Sequence, residues 1–294
     1  MKKIGFVIKH LDIHAASFAS ELAKFVYSSG SKPFFDITSR KIAEKLSKEL
    51  KTRIPLLKKE DMPGSTDFIV VLGGDGTLLS IARMMKNKSI PIMGINMGQL
   101  GFLTEIKQTE AIETIRGMLA GNLPPISKRS MLNVMLKRDK EKIIRCPVIN
   151  DVVVAKGAIA RIINIQVSVN GKWVHDVRAD GLIVSTPTGS TAYSLAAGGP
   201  IIEPPLSAIV MTPICPHTLT QRPLVLSDNA IIEIRVKEPR HVLLTLDGQD
   251  AIEMREKDVV IVQKFKKHPL KLVSSPTRDY FSLLREKLKF GIRN

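Results

Sequence analysis

A glycine-rich turn that carries one carboxylate is the group of residues best suited to chemistry. Gly73-Gly74-Asp75-Gly76-Thr77 follows the apolar run 68–72, which predicts a buried strand, and Thr77 begins an apolar segment that suits a helix. Free N–H groups at a helix start bind phosphate where no side chain blocks them. A carboxylate repels phosphates, so Asp75 needs another task, such as accepting a proton from a hydroxyl or holding a metal ion. A plain tight turn is the structural alternative.

A second candidate segment, rich in hydroxyl groups and glycine, runs from Asp180 to Pro200. Thr188, Ser190 and Thr191 can cap a short helix and offer hydroxyls to ribose or adenine, while Ala192 lets a flat ring approach the backbone. A capped Ser/Thr-rich turn explains the same residues without a ligand. A nucleophilic serine is disfavoured because the segment lacks Gly-x-Ser-x-Gly. Other polar candidates near predicted strand ends are Asn150, Asp151, Arg178, Asp180, His217 and Gln249.

Alternating strands and helices position the first motif. Apolar patterns predict strands at 4–8, 34–37, 68–72 and 90–95, and helices at 18–26, 42–50 and 110–119. This order predicts a parallel sheet covered on both faces, with ligands at the carboxyl ends of the strands. The glycine turn and a second glycine-rich stretch, 96–102, both follow such ends.

The remainder of the chain predicts a β-rich domain and a final helix. Strands are expected at 131–136, 148–154, 163–169, 172–174, 182–185, 231–236, 242–246 and 259–262, with a hairpin at Asn170-Gly171. We expect an α/β domain over 1–125, a β-rich domain over 126–275 and a helix over 276–294 that packs back on the first domain. Phe281, Leu284 and Leu288 would share the buried face of that helix.

Composition limits the classes of protein and of partner. The chain has 294 residues, 44% of them hydrophobic, and 44 Lys and Arg against 28 Asp and Glu give a net charge of +16, which favours anionic partners. Cys146 and Cys215 are too few for a disulfide framework, which predicts a reducing compartment. The first apolar run ends at Lys9, too short for a signal peptide, and no run approaches a membrane span, so a cytoplasmic protein is expected.

These motifs together resemble those of the NAD kinases, especially the bacterial ones, over roughly residues 4 to 290. The resemblance is carried by Gly73 to Thr77, Gly94 to Thr104, Asn150-Asp151 and Asp180 to Pro200, in that order and spacing. Phosphofructokinases and diacylglycerol-type lipid kinases share the first motif, so the Asp180 to Pro200 block makes the match specific. The resemblance implies transfer of a phosphoryl group from ATP, or in some members polyphosphate, to the adenosine 2′-hydroxyl of NAD.

The resemblance also implies a role for each matching residue. NAD would lie between two domains of a homo-oligomer, a dimer or tetramer, and a divalent metal, Mg²⁺ by expectation, would accompany ATP, with no metal-ligating residue assigned. Asp75 would act on the 2′-hydroxyl. The other expected contacts are Gly76 beside Asp75, Phe102 near adenine, Asn150 and Asp151 on ribose hydroxyls, Thr188, Gly189, Ser190, Thr191, Ala192 and Tyr193 on the adenosine half, and Arg161, Arg178, Asp180 and Gln249 at the far end of the dinucleotide or across a subunit contact.

Two positions depart from the family pattern. Members usually carry Glu where Asp151 stands, so its contact is expected to shift or to pass through water. Many bacterial members have Ser where Ala196 stands, which removes one hydroxyl. The chain also lacks a Walker sequence and the third glycine of a dehydrogenase fingerprint, which disfavours a P-loop enzyme and a hydride-transfer enzyme.

Two rival functions make different predictions. A related kinase of a lipid or sugar phosphate would neither bind nor phosphorylate NAD. A basic nucleic-acid-binding protein would bind DNA or RNA with a steep salt dependence, but three Tyr, one Trp and scattered basic residues make a poor stacking surface, so no nucleic acid and no membrane are expected as partners.

Overall fold

Two compact units make up the computed structural model, which describes residues 1–139, 141–157, 161–218, 220–237 and 239–289. The first unit comprises Met1–Lys128 and Leu270–Asn294, and the second comprises Arg129–Pro269. The chain therefore returns to the first unit at Leu270, six residues before the helical segment expected from position 276.

The first part of the chain alternates strands with helices, as predicted. Its strands are β1 (Lys3–Ile8), β2 (Lys32–Asp36), β3 (Leu56–Leu57), β4 (Phe68–Gly73), β5 (Pro91–Asn96) and β6 (Ile126–Arg129). Its helices are α1 (Ile13–Ser28), α2 (Arg40–Glu49), α3 (Met62–Ser65), α4 (Asp75–Ala82) and α5 (Gln108–Ala120), with 3-10 helices at Ile37–Ser39 and Lys59–Asp61.

The second part is mainly strand. Its strands are β7 (Leu132–Arg138), β8 (Glu141–Val148), β9 (Asp151–Lys156), β10 (Ile163–Val169), β11 (Lys172–Ala179), β12 (Gly181–Ser185), β13 (Ala208–Ile214), β14 (Leu224–Ser227), β15 (Ile232–Lys237), β16 (Val242–Leu246), β17 (Asp250–Glu253) and β18 (Val259–Lys264). A 3-10 helix at Gly189–Thr191 precedes helix α6 (Tyr193–Ala196). Strand β19 (Leu270–Val273) and helix α7 (Tyr280–Leu288) then complete the first unit.

The first unit is built on a seven-stranded sheet in the order β3-β2-β1-β4-β5-β19-β6. The pairs from β3 through to β19 are parallel. In β4, Phe68, Val70 and Leu72 join a core with α1 and α5, while the alternate residues Ile69 and Val71 are completely buried as well. Burial on both faces explains the continuous apolar run, since successive side chains point to opposite sides of a strand.

The second unit is a sandwich of two six-stranded antiparallel sheets. One sheet has the order β11-β10-β15-β18-β7-β8 and the other β14-β13-β12-β9-β16-β17. A single core contains buried residues from both sheets, such as Val134 and Ile165 from the first and Val154 and Leu244 from the second. The predicted hairpin is confirmed: Asn170 and Gly171, with φ of 54° and 76°, connect β10 to β11.

Two predictions about elements were wrong. The expected strand 148–154 is two strands, because β8 ends at Val148 in one sheet and β9 begins at Asp151 in the other. In α7, Phe281 is 55% exposed and Leu283 is the buried residue, because the helix begins at Tyr280 and turns a different face inward.

Candidate active site

The glycine turn lies where the strand order of the first sheet reverses. Strands β1 and β4 are parallel neighbours, and the chain leaves β1 towards β2 but leaves β4 towards β5, on the opposite side. Open α/β sheets bind their ligands at the carboxyl ends of the strands beside such a switch point. The residues after Ile8 and those after Gly73 flank this point.

Asp75 is held by the loop that follows the neighbouring strand β5. One carboxylate oxygen, Oδ1, accepts hydrogen bonds from Leu103 N at 3.1 Å, Thr104 N at 3.0 Å and Thr104 Oγ1 at 3.0 Å. The other oxygen, Oδ2, accepts from Phe102 N at 2.9 Å. Helix α4 begins at Asp75 rather than at Thr77, but the carboxylate faces this loop instead of capping its own helix.

Close packing explains why glycine is required at positions 101 and 73, on either side of the contact between Asp75 and this loop. A Cβ on Gly101 would overlap the Asp75 carboxylate, and a Cβ on Gly73 would lie 2.6 Å from Thr77 Oγ1. Gly74 and Gly76 differ, because a Cβ on either would meet no atom within 4 Å and neither has a positive φ. Internal packing does not require glycine at these two positions, which is the pattern expected where a ligand approaches the backbone.

A cavity of about 470 Å³ in the second unit brings together several residues of the predicted site. Its floor includes Val153, Ala155 and Leu243, an apolar surface suited to a flat ring. The polar lining comes from Asn150, Asp151, Lys156, Thr245, Asp247 and Gly248, and Ala192 and Tyr193 complete the wall. Four residues predicted from the sequence, Asn150, Asp151, Ala192 and Tyr193, therefore share one cavity.

Asp247 fixes the chain where it crosses from one sheet to the other. Its carboxylate accepts hydrogen bonds from the backbone N–H groups of Ile149 at 3.0 Å, Asn150 at 2.7 Å and Asp151 at 3.2 Å. Asp247 and Gly248 have φ of 51° and 62° in the turn between β16 and β17, which suits the pair Asp-Gly. This contact could not be predicted from the sequence, because Asp followed by Gly is an ordinary turn pair.

Asp151 is a buried carboxyl group beside this clamp, with 5% of its surface exposed. Burial, together with the nearby charge of Asp247, raises the pKa of Asp151 to about 7. The group therefore titrates near neutral pH, and in its protonated form it can donate a hydrogen bond into the cavity that it lines.

Several hydroxyl groups of the Asp180 to Pro200 segment serve the fold. Ser190 Oγ donates to Pro187 O and accepts from Ile202 N at 2.9 Å, and Thr191 Oγ1 donates to Thr188 O at 3.1 Å. The predicted caps at these positions are wrong, because Thr186 Oγ1 accepts from Gly189 N instead and no side-chain cap is made by Thr188.

Two polar atoms close to this segment stay unpaired. Asn150 Oδ1 and Thr188 Oγ1 are buried and have no hydrogen-bond partner among the described residues. Gly189 packs directly on Asn150, since a Cβ there would overlap its backbone. Buried polar groups are normally hydrogen-bonded, so these two atoms are candidates for contact with a ligand.

Five other predicted residues do not line this cavity: Phe102, Arg161, Arg178, Asp180 and Gln249. Asp180 forms an ion pair with Lys156 at 2.8 Å at the corner between β11 and β12. The side chains of Arg161, Arg178 and Gln249 are exposed, Gln249 in the turn before β17. Phe102 is half-buried, and only its backbone N–H contacts Asp75.

Over the described residues, no group of three or more His, Cys, Asp or Glu side chains is arranged to hold a metal ion. Within the same residues, no helix is long and apolar enough to cross a membrane. Sequence reasoning also missed Thr104, Lys156 and Thr186, whose partners lie far away in the chain or on the backbone.

Comparison with known proteins gives one consistent family. A family model described as the ATP-NAD kinase N-terminal domain matches residues 4–123, and one described as the ATP-NAD kinase C-terminal domain matches residues 149–275. The NAD kinase of Geotalea daltonii is 44% identical over 100% of both chains. The NAD kinase of Citrifermentans bemidjiense is also 44% identical over 100% of both chains.

Solved structures agree with this assignment. Yeast NADH kinase complexed with NADH superimposes with a TM-score of 0.91 at 27% identity, over 100% of this chain and 89% of that one. An NAD kinase from Archaeoglobus fulgidus shares the fold, with a TM-score of 0.72 at 24% identity, over 97% of this chain and 99% of that one.

Proposed function

The chain belongs to the NAD kinase family, and we propose that it transfers the terminal phosphoryl group of ATP to the adenosine 2′-hydroxyl of NAD. The observation that carries this proposal is the orientation of Asp75 in a glycine turn at a sheet switch point. The description of the family as ATP-NAD kinases supports ATP as the donor. Family membership also disfavours the rival lipid or sugar-phosphate kinase.

Asp75 is suited to orient the attacking hydroxyl. A carboxylate oxygen accepts about two hydrogen bonds, and Asp75 Oδ1 already has three donors whereas Oδ2 has one. We therefore assign Oδ2 as the acceptor of the ribose 2′-hydroxyl proton. The bond from the 2′-oxygen to the γ-phosphorus forms as the bond to the β,γ-bridging oxygen breaks, ADP leaves, and the proton passes late to Asp75.

The backbone beside Asp75 is suited to the phosphates. Gly74 and Gly76 present no side chain, and α4 begins at this point. Because the N–H groups of Thr77 and Leu78 donate to Gly74 O, those of Asp75 and Gly76 are the ones suited to an anion. The positive end of the helix also opposes the repulsion between the phosphates and Asp75. Most of the catalysis would then come from positioning and neutralisation of charge.

The cavity of the second unit is suited to part of the dinucleotide. Asn150 and Asp151 would hold ribose hydroxyls, and the unpaired Asn150 Oδ1 supports this role because it needs a donor. The segment from Thr188 to Tyr193 would bind the adenosine half, with Ala192 and Tyr193 against the ring. Ser190 and Thr191 would contribute by shaping this wall rather than through their hydroxyls, which are already used.

Magnesium would enter as part of the substrate MgATP. Mg²⁺ bound to a nucleotide is held mainly by phosphate oxygens and water. The ion would neutralise charge on the β- and γ-phosphates, while Asp75 and the turn orient the reacting groups.

We also propose a cellular compartment and an oligomeric state for the protein. Among the described residues neither Cys146 nor Cys215 forms a disulfide bond, which supports a reducing compartment such as the cytoplasm. We propose a homo-oligomer, a dimer or tetramer, in which the exposed side chains of Arg161, Arg178 and Gln249, with Asp180, act at the far end of NAD or across a subunit contact. Light scattering of the purified protein measures the oligomer directly.

The direct test of the activity is an assay coupled to an NADP-specific dehydrogenase. We expect a rate that requires protein, NAD, ATP and Mg²⁺ together, and parallel reactions with polyphosphate or NADH define the donor and acceptor range. Folded protein that gives no NADP with either donor would contradict the proposal, and lipid and sugar phosphates would then be tested.

A further inference from the structure

Lys9 is fixed beside the glycine turn although the sequence places it 64 positions before Gly73. It is the first residue after β1, and its backbone N–H donates to Leu72 O at 2.8 Å, at the end of β4. A Cβ built on Gly73 would lie 3.0 Å from Lys9 Cβ. Lys9 and the glycine turn thus occupy the two sides of the switch point between β1 and β4.

The Lys9 ammonium group is available for a ligand. Its side chain is 58% exposed, and its ion pair with Asp12 is long, at 3.5 Å. Asp12 already accepts a hydrogen bond from Ala15 N at 3.0 Å as the cap of α1. Exposed pairs of this kind contribute little, so release of Lys9 from Asp12 costs little.

Another nearby lysine is committed to the fold. Lys59 Nζ lies 3.1 Å from Ser80 Oγ and 3.8 Å from the buried carboxylate of Asp36. Release of Lys59 would leave Asp36, which is 1% exposed, without this cation. Lys9 is more exposed than Lys59 and has a weaker partner, so Lys9 is the better candidate to bind a ligand.

We infer that Lys9 binds the donor phosphates and neutralises the charge that develops during transfer. The inference rests on the proposed phosphoryl transfer and adds a cation to a turn whose own side-chain charge, Asp75, is negative. A lysine ammonium is a compact charge with three donors on a flexible stem, which suits a non-bridging phosphate oxygen. Lys9 would contact the triphosphate and not the nucleoside.

The test compares Lys9→Met, which keeps the length of the side chain, with Lys9→Arg, which keeps its charge. We expect Lys9→Met to lower kcat/KM for ATP by about 10- to 100-fold and to leave the KM for NAD nearly unchanged. Lys9→Arg should recover most of the loss. Lys3→Met is the matched control, because Lys3 is an exposed residue at the opposite end of the same strand.

A binding measurement separates this inference from the proposed function. Titration of a non-hydrolysable ATP analogue with Mg²⁺, without NAD, should show weaker binding to Lys9→Met than to wild type and Lys3→Met. If this loss appears in a protein that does not phosphorylate NAD, the assignment of Lys9 to the donor phosphates stands and the proposed transfer to NAD fails. Wild-type analogue affinity and wild-type kcat/KM for ATP in folded Lys9→Met would overturn the inference.

Discussion

The hydroxyl group of Thr104 is the one side-chain donor among the four hydrogen bonds described above that orient the Asp75 carboxylate. It donates to Oδ1 at 3.0 Å from a side chain that is completely buried. A hydrogen bond to a charged group contributes about 1.5 to 3 kcal/mol, so Thr104→Val should lower kcat by about 10-fold or more, with little change in KM for NAD. Steady-state kinetics measures both constants.

The serine variant distinguishes orientation from packing. Thr104→Ser keeps the hydroxyl and loses a methyl group, so its kcat should exceed that of Thr104→Val even if it is less stable. If Thr104→Val retains the wild-type kcat, the hydroxyl does not orient Asp75.

Asp151 should make stability depend on pH in the direction opposite to most carboxylates. Burial, with the nearby Asp247, raises its pKa to about 7 from 3.8, so the native protein binds more protons than the unfolded chain between these values and stability falls as pH rises through this window. Asp151→Asn removes this cost. Its free energy of unfolding, relative to wild type, should rise by about 1 to 3 kcal/mol from pH 5 to pH 8, measured by denaturant unfolding.

Asp258 provides the control of opposite sign. Burial acts to raise its pKa, but hydrogen bonds from the Arg138 side chain and the Arg255 backbone outweigh burial and leave the pKa lowered. Its stabilisation is present above the unfolded pKa and is lost only at lower pH, so Asp258→Asn should be destabilised equally at pH 5 and pH 8. If the free energy of unfolding of Asp151→Asn differs from that of wild type by the same amount at pH 5 and pH 8, Asp151 is not the source of the pH dependence.

The loop after β5 packs closely against Asp75 at the start of α4. Gly101→Ala places a methyl group on the Asp75 carboxylate, whereas Gly98→Ala in the same loop meets open space. We expect Gly101→Ala to lower kcat by about 100-fold or more, since displacement of a positioning contact by about 1 Å has effects of that size. Gly98→Ala should remain near wild type, and equal kcat values for the two folded variants would show that the contact is dispensable.

Elements with strong local signals could be predicted from the sequence. The buried run of β4 and the Asn170-Gly171 hairpin follow from β-branched residues and positive φ. Strand β13 was missed because Pro213 interrupts its pattern, although it pairs with β12 in the middle of a sheet. The break between β8 and β9 was missed because apolar residues flank it on both sides, although the polar pair Asn150-Asp151 stands at the break itself.

At the scale of the whole molecule, contacts between distant residues decide the site, and these leave little local signal. The position of Asp75 in a glycine turn between a buried strand and a helix could be predicted, but its partners lie 27 to 29 residues away. The contact between Asp247 and Asn150 spans 97 residues. Resemblance supplied Asn150 and Asp151 as candidates, whereas the clamp and the raised pKa of Asp151 depend on the folded arrangement.

The overall charge of +16 is consistent with small anionic substrates, because ATP and NAD both carry phosphates. A nucleic-acid-binding role would instead require a steeply salt-dependent affinity for DNA or RNA.

The most direct measurement is turnover of NAD by Asp75→Asn beside Asp67→Asn, with NAD binding measured for both. Asp67 is exposed at the opposite end of the same segment, where it accepts a hydrogen bond from Lys3 N, so it controls for the loss of one charge. We predict that Asp75→Asn binds NAD and loses turnover by several orders of magnitude, while Asp67→Asn keeps it. Near-normal turnover of folded Asp75→Asn would contradict the assignment of Asp75 to phosphoryl transfer.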